Sequence, residues 1–202
     1  MTSLDTRSSR GRTRRAELLD ELVTVFLAEG FAAFTLDDLA RRLRCSKTTL
    51  YGIAASKEQL VVAAVKRFFQ QATAAVEQQA AGPADHRDRI SAYLLTVAAQ
   101  LQPASPAFFA DVAAFAPARE IYERNTRAAA GRVQQLVSEG VTAGTIRPVH
   151  ASFVGVAVAA VMSAIHRGDV TTATGLDDAA AYRELADLVV AGIAPRRAQD
   201  GA

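Results

Sequence analysis

Residues 35–58 read TLDDLARRLRCSKTTLYGIAASKE. Thr35 is placed to cap a short helix whose apolar stripe is Leu36, Leu39, Ala40 and Leu43, and Asp37 and Asp38 suit that helix's positive end. Arg44 and Cys45 then turn the chain, and Ser46 caps a second, very short helix that ends at about Tyr51. Ser56 with Gln59 has the spacing of a capping box, which opens a long helix running to about Ala81. Two short helices across a tight turn, packed by Leu36, Leu39, Leu43 and Leu50, predict a helix-turn-helix. An ordinary αα-hairpin with solvated polar residues has the same pattern.

The helix-turn-helix reading gives the polar residues a chemistry. A helix fits the DNA major groove, and its N-terminal residues reach base edges. Lys47, Thr48 and Thr49 occupy that N-terminus; the lysine can donate to guanine, and a threonine offers a hydroxyl to bases or phosphates and a methyl to thymine. Tyr51 suits a phosphate or a thymine methyl, and Lys57 suits the backbone. Free amides at the capped helix starts, at Thr35 and Ser46, add anion-binding donors.

Outward from this stretch, nearly every segment of the 202 residues reads helical. Alanine is frequent, nothing long alternates with period two, and Gly and Pro fall between apolar stripes. Upstream, Leu19, Leu22, Val23 and Phe26 form one face of a helix that stops at Gly30 in a left-handed cap, and residues 1–12 are expected to be a flexible basic arm. Downstream of Gly82-Pro83, helices are expected at about 85–101, 105–115, 118–143, 150–167 and 178–193. The fold class is all-α with about nine helices. It comprises an N-terminal helix-turn-helix domain at 13–67 and a larger helical domain at 68–202.

Charge is distributed unevenly about a net of +2. Residues 1–67 hold twelve Lys or Arg against eight Asp or Glu, and residues 68–202 hold eleven against thirteen. Five arginines, Arg7, Arg10, Arg12, Arg14 and Arg15, lie in the first fifteen positions, which points to a polyanion partner at that end. The longest nearly unbroken apolar run, 151–165, is shorter than the roughly 20 residues that span a bilayer, and no apolar stretch follows the N-terminal arginines. A single cysteine excludes a disulfide framework. A soluble cytoplasmic protein without membrane contact is expected.

In residues 14–67 the helix-one stripe ends in Glu29-Gly30-Phe31. Phe34-Thr35, Leu39-Ala40, Ser46-Lys47, Thr49-Leu50-Tyr51 and Ser56-Lys57-Glu58 follow in order and at set distances. This arrangement resembles the DNA-binding domain of the TetR family of transcriptional regulators. Glu139-Gly140, Ala143-Gly144 and Arg147-Pro148 resemble the turn that follows the seventh helix in many members. The resemblance implies a homodimer that binds a near-palindromic double-stranded DNA operator, usually as a repressor, and responds to a small-molecule effector through residues 68–202. Four positions depart from the family pattern. Gly52, Ile53 and Ala54 stand where further aromatics or histidine and an anchoring phenylalanine are usual, which removes a phosphate-contacting histidine and reduces the anchor to a methyl. Arg44 replaces a customary glycine, and a backbone φ above zero there costs about 1 kcal/mol. These departures shift DNA contact onto Arg42, Arg44 and the arm, or else leave a helical dimeric interaction protein with weakened DNA recognition.

The second domain offers two features. The run 151–165 is apolar nearly all round and rich in small residues, so something must bury it, and the stretch with Leu185, Leu188, Val189 and Ile193 is placed to join it across a two-fold axis. The alternative is that both fill the protomer core. Tyr93, Phe108, Phe109, Phe115 and Tyr122 line a pocket for a largely apolar effector, or are ordinary core aromatics. His150 and His166 are sixteen residues apart, too far along one helix to share an ion, so capping or solvated roles fit better and no metal is expected. Cys45 reads as a small hydrophobe, or as a thiol activated by Arg44 and Lys47. No dinucleotide, phosphate-loop or zinc-protease motif appears. Asp37-Asp38 and Asp177-Asp178 sit at helix starts, where capping accounts for them, so neither catalysis nor a cofactor is expected.

Overall fold

The computed structural model describes the backbone of residues 3–195 and the side chains of residues 13–195. Ten helices and no strand occur among the described residues. They are α1 (Ser3–Glu29), α2 (Leu36–Arg42), α3 (Lys47–Tyr51), α4 (Lys57–Ala81), α5 (His86–Leu101), α6 (Pro106–Ala114), α7 (Ala116–Thr142), α8 (Ala151–His166), α9 (Asp169–Thr174) and α10 (Asp178–Ile193). The helix beyond the nine expected is α9, six residues held between Gly168 and Gly175. It is too short to carry an apolar stripe, and none of its residues is buried. Helix α1 begins at Ser3, so the segment read as a separate arm continues the helix. Extending an existing helix is easier than nucleating one, and no proline interrupts the run. The side chains of Arg7, Arg10 and Arg12 lie outside the described residues.

The chain forms two compact units. The first comprises 1–71 with 103–122, and the second comprises 72–102 with 123–202. The first unit has a core of Leu18, Leu22, Phe26, Leu39, Leu50, Leu60, Phe108 and Val112, each at most 1% exposed. Each such leucine or phenylalanine stabilises the fold by about 2 kcal/mol through the apolar area it removes from water. Eight rings join edge-on or tilted within it. Phe31 meets Phe26, Phe108 and Phe115 at 5.7, 6.4 and 6.2 Å, and Phe68, Phe69, Phe109 and Tyr122 continue the chain of contacts.

In the second unit α10 packs on α5 and α8, burying Ile90, Leu94, Val158, Met162, Tyr182 and Leu185. Helix α8 approaches α7 closely at Gly155, where a Cβ would lie 2.9 Å from Gln134 Cβ and 3.4 Å from the Ala130 carbonyl oxygen. Arg132 pairs with Glu77 at 3.2 Å and lies 3.8 Å from Glu139, which Arg89 also approaches at 3.5 Å. The all-round apolar run of α8 is only half consumed by this packing: Gly155, Val158, Met162 and Ile165 are buried, whereas Phe153 and Val156 remain 71% and 67% exposed. On α10, Leu185 and Ile193 point into the unit and Leu188 is 71% exposed.

Candidate nucleic-acid interface

Helices α2 and α3 are set by their caps. Thr35 forms a full capping box with Asp38: its hydroxyl oxygen accepts from the Asp38 N–H at 3.2 Å, and Asp38 accepts in return from the Thr35 N–H at 3.0 Å. The Thr35 hydroxyl also donates to Asp38, and these bonds hold the Asp38 carboxyl below the usual range. Ser46 caps α3 by accepting from the Thr49 N–H at 3.1 Å, with the Thr49 hydroxyl 2.8 Å from its own oxygen. At the start of α4 the arrangement differs from a strict capping box. Ser56 accepts from the Gln59 N–H at 3.2 Å, and Gln59 reaches past Ser56 to accept from the Ala55 N–H at 3.1 Å.

Leu50 faces inward at 1% exposure, so helical periodicity turns Thr48 the opposite way, with Tyr51 and Thr49 to either side. Tyr51 is 52% exposed, and Lys47, Thr48 and Thr49 are exposed with it. Thr35, Arg42, Arg44 and Ser46 lie on α2 or in the turns flanking α2 and α3, and Lys57 is the first residue of α4. Most of the cations here have an internal partner. Lys47 Nζ is 2.7 Å from Asp37, whose hydrogen bond raises the lysine's pKa; Arg42 pairs with Glu29, and Arg41 lies 3.4 Å from Asp38. Lys57 donates to the Ala32 carbonyl at 2.8 Å, which ties α4 to the turn before α2.

The positions after Tyr51 are not an empty space. Ile53 is 8% exposed and supplies, one residue before Ala54, the apolar anchor that the sequence reading found reduced to a methyl. Its carbonyl accepts from Arg15 at 2.6 Å, fastening the α3–α4 turn to α1. The surroundings of Cys45 do not favour a thiolate. Burial pushes its pKa up, and the opposing cation is Arg14 rather than Arg44 or Lys47.

Sequence reasoning missed Asp111. One of its carboxylate oxygens accepts from the Phe31 N–H at 2.5 Å and the Ala32 N–H at 2.7 Å, binding α6 to the turn that follows α1. Gly30 makes room for it, with φ of +75° and space in which a Cβ would lie 2.5 Å from that oxygen. The Ser105 N–H donates to the Leu27 carbonyl at 2.8 Å and completes the junction. The only hint in the sequence was an acidic residue inside the apolar stretch PAFFADVAA, and nothing local gave its partner.

Of the five aromatics proposed for a ligand, Phe108, Phe109, Phe115 and Tyr122 share the ring cluster of the first unit. Phe115 also lines a cleft of about 210 Å³ together with Phe31, Val61, Ala114 and the polar residues Lys57, Glu58 and Asp111. Tyr93 belongs to the second unit, buried to 5% exposure, and burial pushes its phenol up to about 12, so it stays protonated. His150 caps α8, its Nδ1 accepting from the Phe153 N–H at 3.3 Å, and Asp177 caps α10 by accepting from the Ala180 N–H at 2.7 Å.

Residues 18–64 match the family model described as bacterial regulatory proteins, tetR family. Among curated proteins no relative matches. Solved structures agree with the fold over nearly the whole chain. A TetR-family transcriptional regulator from Agrobacterium tumefaciens superposes with a TM-score of 0.70 at 14% identity, covering 92% of this chain and 100% of that one. A protein from Saccharomonospora viridis, solved in complex with choline, gives 0.72 at 18% identity, covering 92% and 100%. A TetR-family regulator from Streptomyces coelicolor gives 0.66 at 16% identity, covering 93% and 97%.

Proposed function

With its helix-turn-helix segment in the tetR family of bacterial regulatory proteins and the TetR fold along the chain, we propose that this protein is a homodimeric transcriptional regulator. It acts in the cytoplasm as a repressor, binding a near-palindromic operator and leaving it when a small, largely apolar effector binds. The observation that carries this reading is α3: a capped helix anchored by buried Leu50 and Ile53 that presents Lys47, Thr48, Thr49 and Tyr51 outward. Residues 13–67 serve DNA, with Thr35, Arg42, Arg44, Ser46 and Lys57 at the phosphates. Residues 68–202 serve dimerisation and the effector, and Tyr93, Phe108, Phe109, Phe115 and Tyr122 are the candidate effector contacts.

The homodimer is supported by the apolar side chains that α8 and α10 leave uncovered, Phe153, Val156 and Leu188. The reading requires a two-fold axis that presents two copies of α3 to successive major grooves. An effector releases DNA only to the extent that it binds more tightly to the conformation whose α3 helices are wrongly spaced.

Selection of binding sites from random duplex DNA tests the reading. The wild type is expected to enrich a two-fold symmetric site that Lys47→Ala and Tyr51→Ala lose. One observation favours a second reading, a helical dimeric interaction protein with weakened DNA recognition: Lys47 and Arg42 are already occupied by Asp37 and Glu29. No enrichment by ligand-free protein, even at low salt, would decide for that reading.

A further inference from the structure

Arg44 sits in the turn between α2 and α3 with φ of 50°, and it is the one non-glycine residue with positive φ among the described residues. An L-residue in this conformation crowds its Cβ against the following carbonyl oxygen, a cost that glycine escapes. The conformation closes α2, with the Arg44 N–H donating to the Arg41 carbonyl at 3.3 Å and the Cys45 N–H to the Ala40 carbonyl at 2.9 Å, but these are backbone bonds that a glycine would make as well, without the crowding. The Arg44 side chain is exposed, and its guanidinium has no hydrogen bond or ion pair among the described residues. The other cations of the hairpin differ in this respect, since Arg41, Arg42 and Lys47 each face a carboxylate of Asp38, Glu29 or Asp37. A strained residue in a slot that glycine fills more cheaply, bearing the hairpin's single unneutralised charge three positions before Lys47, points to a partner outside the protein.

We infer that Arg44 is the hairpin's anchor on the DNA backbone, its planar guanidinium donating to phosphodiester oxygens beside the groove that α3 enters, and that the chain gives up stability there for affinity. This rests on the DNA-binding reading above and goes further, by assigning sequence-independent attraction to one turn residue and base reading to α3.

The test compares the full-length wild type with Arg44→Gly, Arg44→Ala and Arg44→Lys. Thermal unfolding is measured for each, as is affinity for the selected operator duplex between 50 and 200 mM salt. Glycine relieves the strain and removes the charge, so its Tm is expected to rise by about 2–4 °C while affinity falls about tenfold. Alanine removes the charge and keeps the strain: the same loss of affinity, with Tm near that of the wild type. In both, the slope of log affinity against log salt flattens by about 0.9 per protomer, and lysine retains the slope. Wild-type affinity and slope in Arg44→Gly overturn the inference, as does a Tm that fails to rise. A wild type that binds no duplex at all overturns it together with the DNA-binding reading. Arg44 variants that bind as well as a DNA-binding wild type overturn it alone.

Discussion

The α2–α3 hairpin and the α8–α10 pair are both surfaces that the protomer leaves open, in opposite chemistries. The hairpin exposes hydroxyls, one phenol and cations, most of them already matched to carboxylates, around a fully buried Leu50. The helix pair exposes Phe153, Val156 and Leu188 beside buried Val158, Met162 and Leu185. A surface of the first kind is content in water and awaits a partner that offers better hydrogen bonds. A surface of the second kind loses free energy to water until a partner covers it. In the proposed regulator the contrast separates recognition, which is polar and exchangeable, from assembly, which is apolar.

The largest expected effect breaks the apolar side. In the proposed homodimer, Phe153→Asp and Leu188→Asp would each put a carboxylate into the shared face twice, so each is expected to weaken the dimer by on the order of 4 kcal/mol, about a thousandfold in Kd. Sedimentation should show monomers whose helical circular dichroism is unchanged, because both side chains are exposed in the folded protomer. A variant that remains dimeric at micromolar concentration would place the interface elsewhere. Next comes the junction in the first unit. Gly30→Ala combines a left-handed φ with a Cβ pressed on Asp111, and about 3 kcal/mol of stability should be lost in urea unfolding. Asp111→Ala leaves the Phe31 and Ala32 N–H groups without their acceptor and is expected to cost about 2 kcal/mol. The two costs should fall short of additive when combined, since removing the carboxylate removes the clash. Full additivity would show that the close approach at Gly30 carries no strain.

The smallest effect sharpens the polar side. Arg67 donates twice to Asp20, at 2.7 and 3.0 Å, and holds its carboxyl below the usual range against an opposing effect of burial. A depressed carboxylate stabilises the fold at pH values above its unfolded pKa near 4, and the contribution disappears as pH falls through the lower folded value. Both side chains are about a third or more exposed, so solvent screening limits the pair to about 0.5 kcal/mol. Wild type and Asp20→Asn should therefore differ by that amount at pH 7 and converge in acid, once pH has fallen through the lowered carboxylate value. A gap that persists in acid would mean that the asparagine disturbs packing rather than charge.

What the sequence made legible was local. The caps at Thr35, Ser46 and Asp177 and the stop at Gly30 are decided by residues within one helical turn, and the helix ends they mark lie within about two residues of the observed ones, whereas the start of α1, which no cap marked, lies about ten residues before the expected one. What it hid was the choice of partner across long separations. Asp111 meets a turn 80 positions earlier, Arg67 reaches back 47 to Asp20, and the inward and outward faces of α8 have the same apolar composition. The residues read as candidate DNA contacts could be named because a helix-turn-helix is itself a local pattern. That Lys47 is engaged by Asp37 could not be read, since it depends on how α2 and α3 cross.

That Lys47–Asp37 pair has a consequence for target search along a chromosome. A regulator reaches its operator through a vast excess of wrong sites, held to each by loose attraction to phosphate. Under the proposed reading, a lysine that carries its own carboxylate adds little to that attraction, so the regulator would linger less on irrelevant DNA. At the operator a guanine edge must outbid the aspartate before the lysine changes partners. In the proposed regulator this exposed pair would thus trim loose binding to wrong sequence slightly more than binding to the operator.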